Sequence, residues 1–187
     1  MEVLEAIRRR RAVREYTDRP VGRATIDELL AAAVQAPSAV NQQPWAFVVI
    51  QNRDLLRQYS DRSKEYWART MSGDASWEHL RGLIVDPTFR IFYDAPALIV
   101  ICARPGGLNP AEDCCLAAEN LMLAAHALGL GTCPIGLARP WLNLPETKQE
   151  LGIPEQYAPV FPVIVGYPRG EVSSPGRNAP EVLVWKS

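Results

Sequence analysis

The side chains best equipped for chemistry in this chain are cations rather than nucleophiles. Four arginines, Arg8-Arg9-Arg10-Arg11, are followed by Arg14 and Arg19. A guanidinium keeps its charge and grips phosphate through two parallel hydrogen bonds, so Arg10, Arg11 and Arg14, set beyond the end of a short helix, could converge on one anion. The plainer alternatives are a solvated basic turn or a nucleic-acid patch. Base stacking would call for interleaved aromatics, which the run lacks. Lys+Arg 20 against Asp+Glu 21 gives a formal net charge of -1, so no overall field draws the chain to nucleic acid or a membrane surface.

Three further stretches could meet a ligand. Pro37-Ser38-Ala39-Val40-Asn41-Gln42-Gln43-Pro44 lies between an alanine-rich helix and an apolar strand. Two prolines fence it, and its hydroxyl and amide side chains can turn the chain or present hydrogen bonds to a planar, polar molecule. Gly131-Thr132-Cys133-Pro134-Ile135-Gly136-Leu137 reads as a helix cap and tight turn. Gly129-x-Gly131 follows a helix rather than a strand, which rules against a Rossmann phosphate loop. In that stretch Pro134-Ile135 would form a flat apolar ledge, and Gly136 would expose a backbone N–H. Arg177 stands in a Pro/Gly-rich tail, where solvent exposure is the default reading. No G-x-S-x-G elbow occurs, and no nucleophile is paired with a base. Glu112 and Asp113 are adjacent and point apart on a helix. Anion-binding arginines and an amide loop without a reactive side chain imply that a cofactor carries the chemistry.

These residues need a scaffold, and 187 residues suffice for one domain with a substantial core. Apolar runs are strand-length, so no membrane span is expected. Four cysteines show neither C-x-x-C pairs nor a disulfide framework, and two histidines are too few for a usual zinc or copper site. The expectation is a reduced, metal-free, cytoplasmic protein. Sixteen prolines among 187 residues, about 9% against a typical ~5%, fall at element ends rather than in a linker. Periodicity predicts helices over 3–9, 27–35 (capped by Thr25), 54–69 and 112–128, the last apolar on most sides. Strands are expected over 45–50, 96–102 and 159–167, with 181–185 as a possible fourth. Helices interspersed with few strands suggest an α+β fold around a small mixed sheet.

Together these segments resemble the FMN-dependent nitroreductase superfamily. The resemblance rests on Ile7-Arg8-Arg9-Arg10-Arg11-Ala12-Val13-Arg14 followed by Tyr16, on Ala36-Pro37-Ser38-Ala39-Val40-Asn41-Gln42-Gln43-Pro44-Trp45, on Ala124-Ala125-His126-Ala127-Leu128-Gly129-Leu130-Gly131-Thr132-Cys133, and on Gly166-Tyr167-Pro168 with the tail to Arg177. It implies a nitroreductase-like α+β fold, with helices around a small, mostly antiparallel or mixed sheet, in an intertwined homodimer holding FMN at the subunit interface. Arg10 and Arg11 would contact the phosphate and ribityl chain. Arg14 would face the pyrimidine edge of the ring, where positive charge stabilises negative charge. Arg177 would close on the phosphate. Pro37, Ser38, Ala39 and Asn41 would come from the partner subunit, with Gln43 near the ribityl chain or ring edge. Pro134 and Ile135 would back the isoalloxazine, and the Gly136 N–H would approach N5. Ala12 stands where the family often has serine, which removes one hydroxyl contact to the phosphate.

The function implied is hydride transfer from NADH or NADPH through flavin N5 to nitroaromatics, quinones or related conjugated acceptors, with no catalytic side chain and no metal. Alternatives are a specialised flavin enzyme of the same fold (a dehalogenase, an azoline dehydrogenase or a flavin-degrading enzyme) and a non-catalytic flavin-binding module. Residues 1–187 would form one domain with a variable, lid-like segment at about 54–90. Within it, Tyr66, Trp67 and Trp77 would cover the site or simply pack a surface helix.

Overall fold

The computed structural model describes residues 1–71 and 78–186. Among the described residues, seven α-helices and four strands follow one another as α1 (Val3–Arg9), α2 (Arg23–Ala33), β1 (Trp45–Ile50), α3 (Arg53–Thr70), α4 (Glu78–Val85), β2 (Ala97–Ala103), α5 (Pro110–Ala127), β3 (Gly131–Pro134), α6 (Arg139–Leu142), α7 (Pro145–Glu150) and β4 (Ala158–Gly166). Trp77 lies outside the described residues. The strands pair in the order β1-β2-β4-β3, every pairing antiparallel.

β2 is buried along its whole length because the sheet is covered on both faces. Successive side chains of a strand point to opposite faces. Ala97, Ile99, Ile101 and Ala103 therefore join a core with α2 and α5, while Leu98, Val100 and Cys102 join a second core with α3 and α6. That is why Ala-Leu-Ile-Val-Ile-Cys-Ala reads as an unbroken apolar run although its neighbours are antiparallel.

Two expectations are corrected. The fourth strand is Gly131–Pro134 rather than 181–185. Residues 181–185 are exposed and pair with no strand among the described residues. Helix α2 begins at Arg23 after Gly22, so Thr25 lies inside it rather than capping it. The long helix α5 is apolar on most sides in composition but is not buried all round, since Cys115 and Leu116 in its middle are exposed.

The arginine run owes its position to the free edge of β3. Ala12 pairs in parallel with Thr132, and the Val13 N–H donates to the Thr132 carbonyl at 2.9 Å. Further on, Tyr16 bridges to Pro168, and the Thr17 N–H donates to the Tyr167 carbonyl at 2.9 Å. The Tyr16 hydroxyl, pushed upward in pKa by burial, donates to the Val13 carbonyl at 2.7 Å. Glycine permits this close docking, since a Cβ on Gly131 would lie 2.6 Å from a Val13 methyl and one on Gly166 would lie 2.6 Å from both Pro96 and Tyr16.

Candidate functional site

Where the docked arginine segment leaves α1, a pocket of about 350 Å³ opens between it, the end of α5 and the chain beyond β4. Arg9, Arg10, Arg11, His126, Thr132, Glu171 and Ser174 supply its polar lining. Arg11 donates through Nη1 to the carbonyls of Arg8 at 2.6 Å and Arg10 at 2.7 Å, and through Nη2 to Ser174 Oγ at 2.8 Å. Arg10 Nε lies 3.3 Å from Glu119 Oε1, an ion-pair distance without hydrogen-bond alignment, so this buried N–H has no acceptor. His126 Nε2 is likewise buried and unpartnered. Unpaired buried polar atoms cost free energy unless a ligand meets them. A pocket of this size with three guanidiniums and two orphaned nitrogens fits a phosphate-bearing molecule.

Arg14 and Arg177 do not line this pocket. Arg14 is exposed, with its guanidinium 5.9 Å from the Tyr93 ring centroid. Arg177 is exposed and donates to the Gly176 carbonyl at 2.7 Å. The tail does reach the pocket, but through Gly170, Glu171, Val172 and Ser174.

Beyond β3 the chain makes a single 3₁₀ turn over Gly136–Ala138. The Ile135 N–H donates to the Pro162 carbonyl at 2.9 Å, and the Ala138 N–H donates back to Ile135 at 3.1 Å. From α3, one helical turn apart, Ser63 Oγ at 3.3 Å and Trp67 Nε1 at 2.7 Å both donate to the Leu137 carbonyl. The sheet thus fixes one side of the turn and α3 the other. Pro134 is exposed above a buried Ile135. Gly136 is exposed with open space where a Cβ would stand, and the first N–H of such a turn has no acceptor within it. An apolar ledge therefore ends in an accessible amide donor.

The amide loop stands elsewhere on this chain. Asn41, Gln42 and Gln43 border a hollow of about 620 Å³ with Trp45, Phe47 and Arg104, separate from the arginine pocket. Val40, Asn41 and Gln43 have φ of 45°, 57° and 49°, a left-handed conformation that is costly for a β-branched residue such as Val40. Side chains hold this shape. Ser38 Oγ accepts from the Gln43 N–H at 2.9 Å, Gln43 Nε2 donates to Asn41 Oδ1 at 3.0 Å, and Gln42 Oε1 accepts from the Leu108 N–H at 2.8 Å. The buried carboxylate of Asp113, in the first turn of α5, accepts from the Ala39 N–H at 3.2 and 3.3 Å. Sequence reasoning passed over Asp113. Its signal was weak, because Glu112 stands beside it and only the structure separates the exposed acid from the buried one.

Nucleophilic chemistry finds no support in the three buried thiols. Burial pushes Cys102 up to about 11 and Cys114 up to about 12, and it raises Cys133 as well. Among the described residues no cluster of three metal-ligating side chains occurs, and no helix is long and apolar enough to cross a membrane.

A four-stranded antiparallel sheet between helical layers, a phosphate-sized basic pocket at its edge and an open amide on the adjoining turn define a cofactor-binding α+β domain. The Nitroreductase family model matches residues 7–167, and the chain belongs to that family. It is 33% identical over 174 residues to a Methanothermobacter thermautotrophicus protein provisionally named as an NADH dehydrogenase/NAD(P)H nitroreductase, covering 90% of this chain and 78% of that one. It is 25% identical over 189 residues to the FMN reductase [NAD(P)H] of Bacillus subtilis, covering 89% of this chain and 66% of that enzyme. The crystal structure of a Bacteroides fragilis nitroreductase with bound FMN superposes at a TM-score of 0.86, with 29% identity and 100% of both chains covered.

Proposed function

We propose that this chain is an FMN-dependent oxidoreductase that takes hydride from NADH or NADPH and delivers reducing equivalents to nitroaromatics, quinones or related conjugated acceptors. The observation that carries the reading is the basic pocket with its unpartnered buried nitrogens, beside an exposed backbone donor, in a member of the Nitroreductase family. Bound FMN supplies an N5 atom that accepts and returns hydride. The chain's own residues bind and orient. Arg10 and Arg11 hold the phosphate and ribityl chain, and Ala12 offers no hydroxyl beside them. Pro134 and Ile135 back the ring, and the Gly136 N–H, fixed by Trp67 and Ser63 through Leu137, is held toward N5.

The functional unit is a homodimer. Val3, Leu4 and Ile7 of α1, Leu116 of α5, Leu128 just past its end, and Val182, Leu183, Val184 and Trp185 of the tail are all exposed apolar side chains on one chain. A second copy covers such surface and brings the amide loop, with Pro37, Ser38, Ala39, Asn41 and Gln43, to the flavin that its own chain holds at a distance. Arg14 and Arg177 close on the pyrimidine edge and phosphate in that assembly. Residues 1–187 form one domain, with the 54–90 segment over the ring, and the protein works in the cytoplasm.

The test is the visible spectrum of the purified protein, before and after anaerobic addition of NADH or NADPH. Flavin bands that bleach are the expected result. Bands that persist refute the reductase and leave a specialised or binding role, and a colourless protein that FMN cannot reconstitute refutes the cofactor. Arg14→Ala should weaken FMN binding and slow reduction, whereas Arg177→Ala should weaken binding with less effect on reduction.

A further inference from the structure

We propose that His126 is a recognition group of the phosphate pocket, donating from Nε2 to a phosphate oxygen as an imidazolium. This inference rests on the FMN reading above and extends it to a residue outside the family contacts carried over from the resemblance.

The charges in the pocket explain the need. Arg9 is paired with Glu5 at 2.9 Å, and Arg10 lies 3.3 Å from Glu119. Arg11 donates to two carbonyls and a hydroxyl rather than to a carboxylate, and Glu171 adds a negative charge to the lining. A phosphate monoester is close to a dianion above pH 7, with a second pKa near ~6. Arg11 alone offers one uncommitted positive charge against two negative ones. A protonated His126 supplies a second, and it supplies the donor that Ala12 cannot.

Without phosphate the imidazole has reason to stay neutral. Burial holds its pKa below the usual histidine value, and Arg9, Arg10 and Arg11 lower it further, against a small opposing effect of Glu5. The carbonyl end of α5 favours a cation there, but burial and three guanidiniums outweigh it. A phosphate dianion reverses the local field and repays protonation. Phosphate binding at neutral pH is then accompanied by uptake of one proton. The sign follows: affinity is fully expressed below the histidine pKa of the free protein and is lost as pH rises toward that of the complex, by at most tenfold per unit.

The measurement is calorimetric titration of the apoprotein with FMN at pH 8.0, in two buffers of different ionisation enthalpy. At that pH the ligand phosphate neither gains nor loses a proton. The wild type should take up a proton with FMN and none with riboflavin. His126→Gln should bind FMN about tenfold or more weakly, the usual effect of losing a charge-assisted hydrogen bond, without proton uptake. His79→Gln serves to assign the histidine ring-proton resonances. The chain has only two histidines, so the ring-proton resonances of the wild-type protein follow His126 directly even if the variant fails to fold, and FMN should raise its titration midpoint. FMN binding without uptake, an unmoved midpoint, or equal uptake in His126→Gln overturns the inference while leaving the flavin reading intact. No FMN binding by the wild type overturns both.

Discussion

Gly131→Ala tests how the arginine segment is held. The added Cβ would lie 2.6, 2.7 and 2.8 Å from three side-chain carbons of Val13, where carbon atoms normally rest about 3.5–4.0 Å apart. Val13 is buried and its N–H is bonded to the Thr132 carbonyl, so it has no free direction of retreat. Overpacking of this kind costs about 1–3 kcal/mol. For a domain of this length each kcal/mol lowers Tm by about 2–4 °C, so a fall of roughly 2–12 °C is expected by calorimetry. The displaced segment carries Arg10 and Arg11, so FMN affinity should fall with stability. Val13→Ala removes the obstructing carbons, and the double variant should be more stable than the sum of the single effects predicts. Additive effects, or Gly131→Ala with unchanged Tm and unchanged FMN affinity, would refute the docking of this segment against β3.

Two further outcomes follow from contacts around the site. Trp67→Phe keeps an aromatic ring on α3 but deletes the 2.7 Å bond to the Leu137 carbonyl, a net loss of about 0.5–1.5 kcal/mol. Stopped-flow reduction of bound flavin should slow while FMN affinity is kept, and an unchanged rate would remove Trp67 from the positioning of Gly136. Asp113→Ala leaves the Ala39 N–H without its acceptor, at a cost of about 1–3 kcal/mol. Amide exchange at Ala39 should accelerate well beyond that of the strands, and protection equal to wild type would show that other contacts hold the loop.

Elements with strong periodicity were legible in the sequence. α1, α3, α5 and the three apolar strands stand within a few residues of their expected places. β3 was not, because Gly-Thr-Cys-Pro has little strand character of its own and becomes a strand through its pairing with β4 and Ala12. Val182-Leu183-Val184-Trp185 misled in the opposite direction, having the composition of a strand with nothing beside it. At the site, the sequence pointed to the arginine run, the amide loop and the Gly136 turn, because residue types mark them. It could not show that Arg14 and Arg177 stand apart from the pocket in one chain, nor that Asp113 anchors the loop and Trp67 the turn. Those facts depend on contacts between residues 70 or more positions apart.

The tail is one covalent strip with two tasks. Its near part, Gly170 to Ser174, walls the phosphate pocket, and its far part carries Leu183 and Trp185, each 86% exposed on the single chain. In the proposed dimer, docking of the far part restrains the near part, so cofactor retention and subunit association rise and fall together. Dilution then acts as a stripping agent. A preparation that is yellow when concentrated would shed flavin as it is thinned, and turnover measured at low protein concentration would report the association constant of the chain as much as its chemistry.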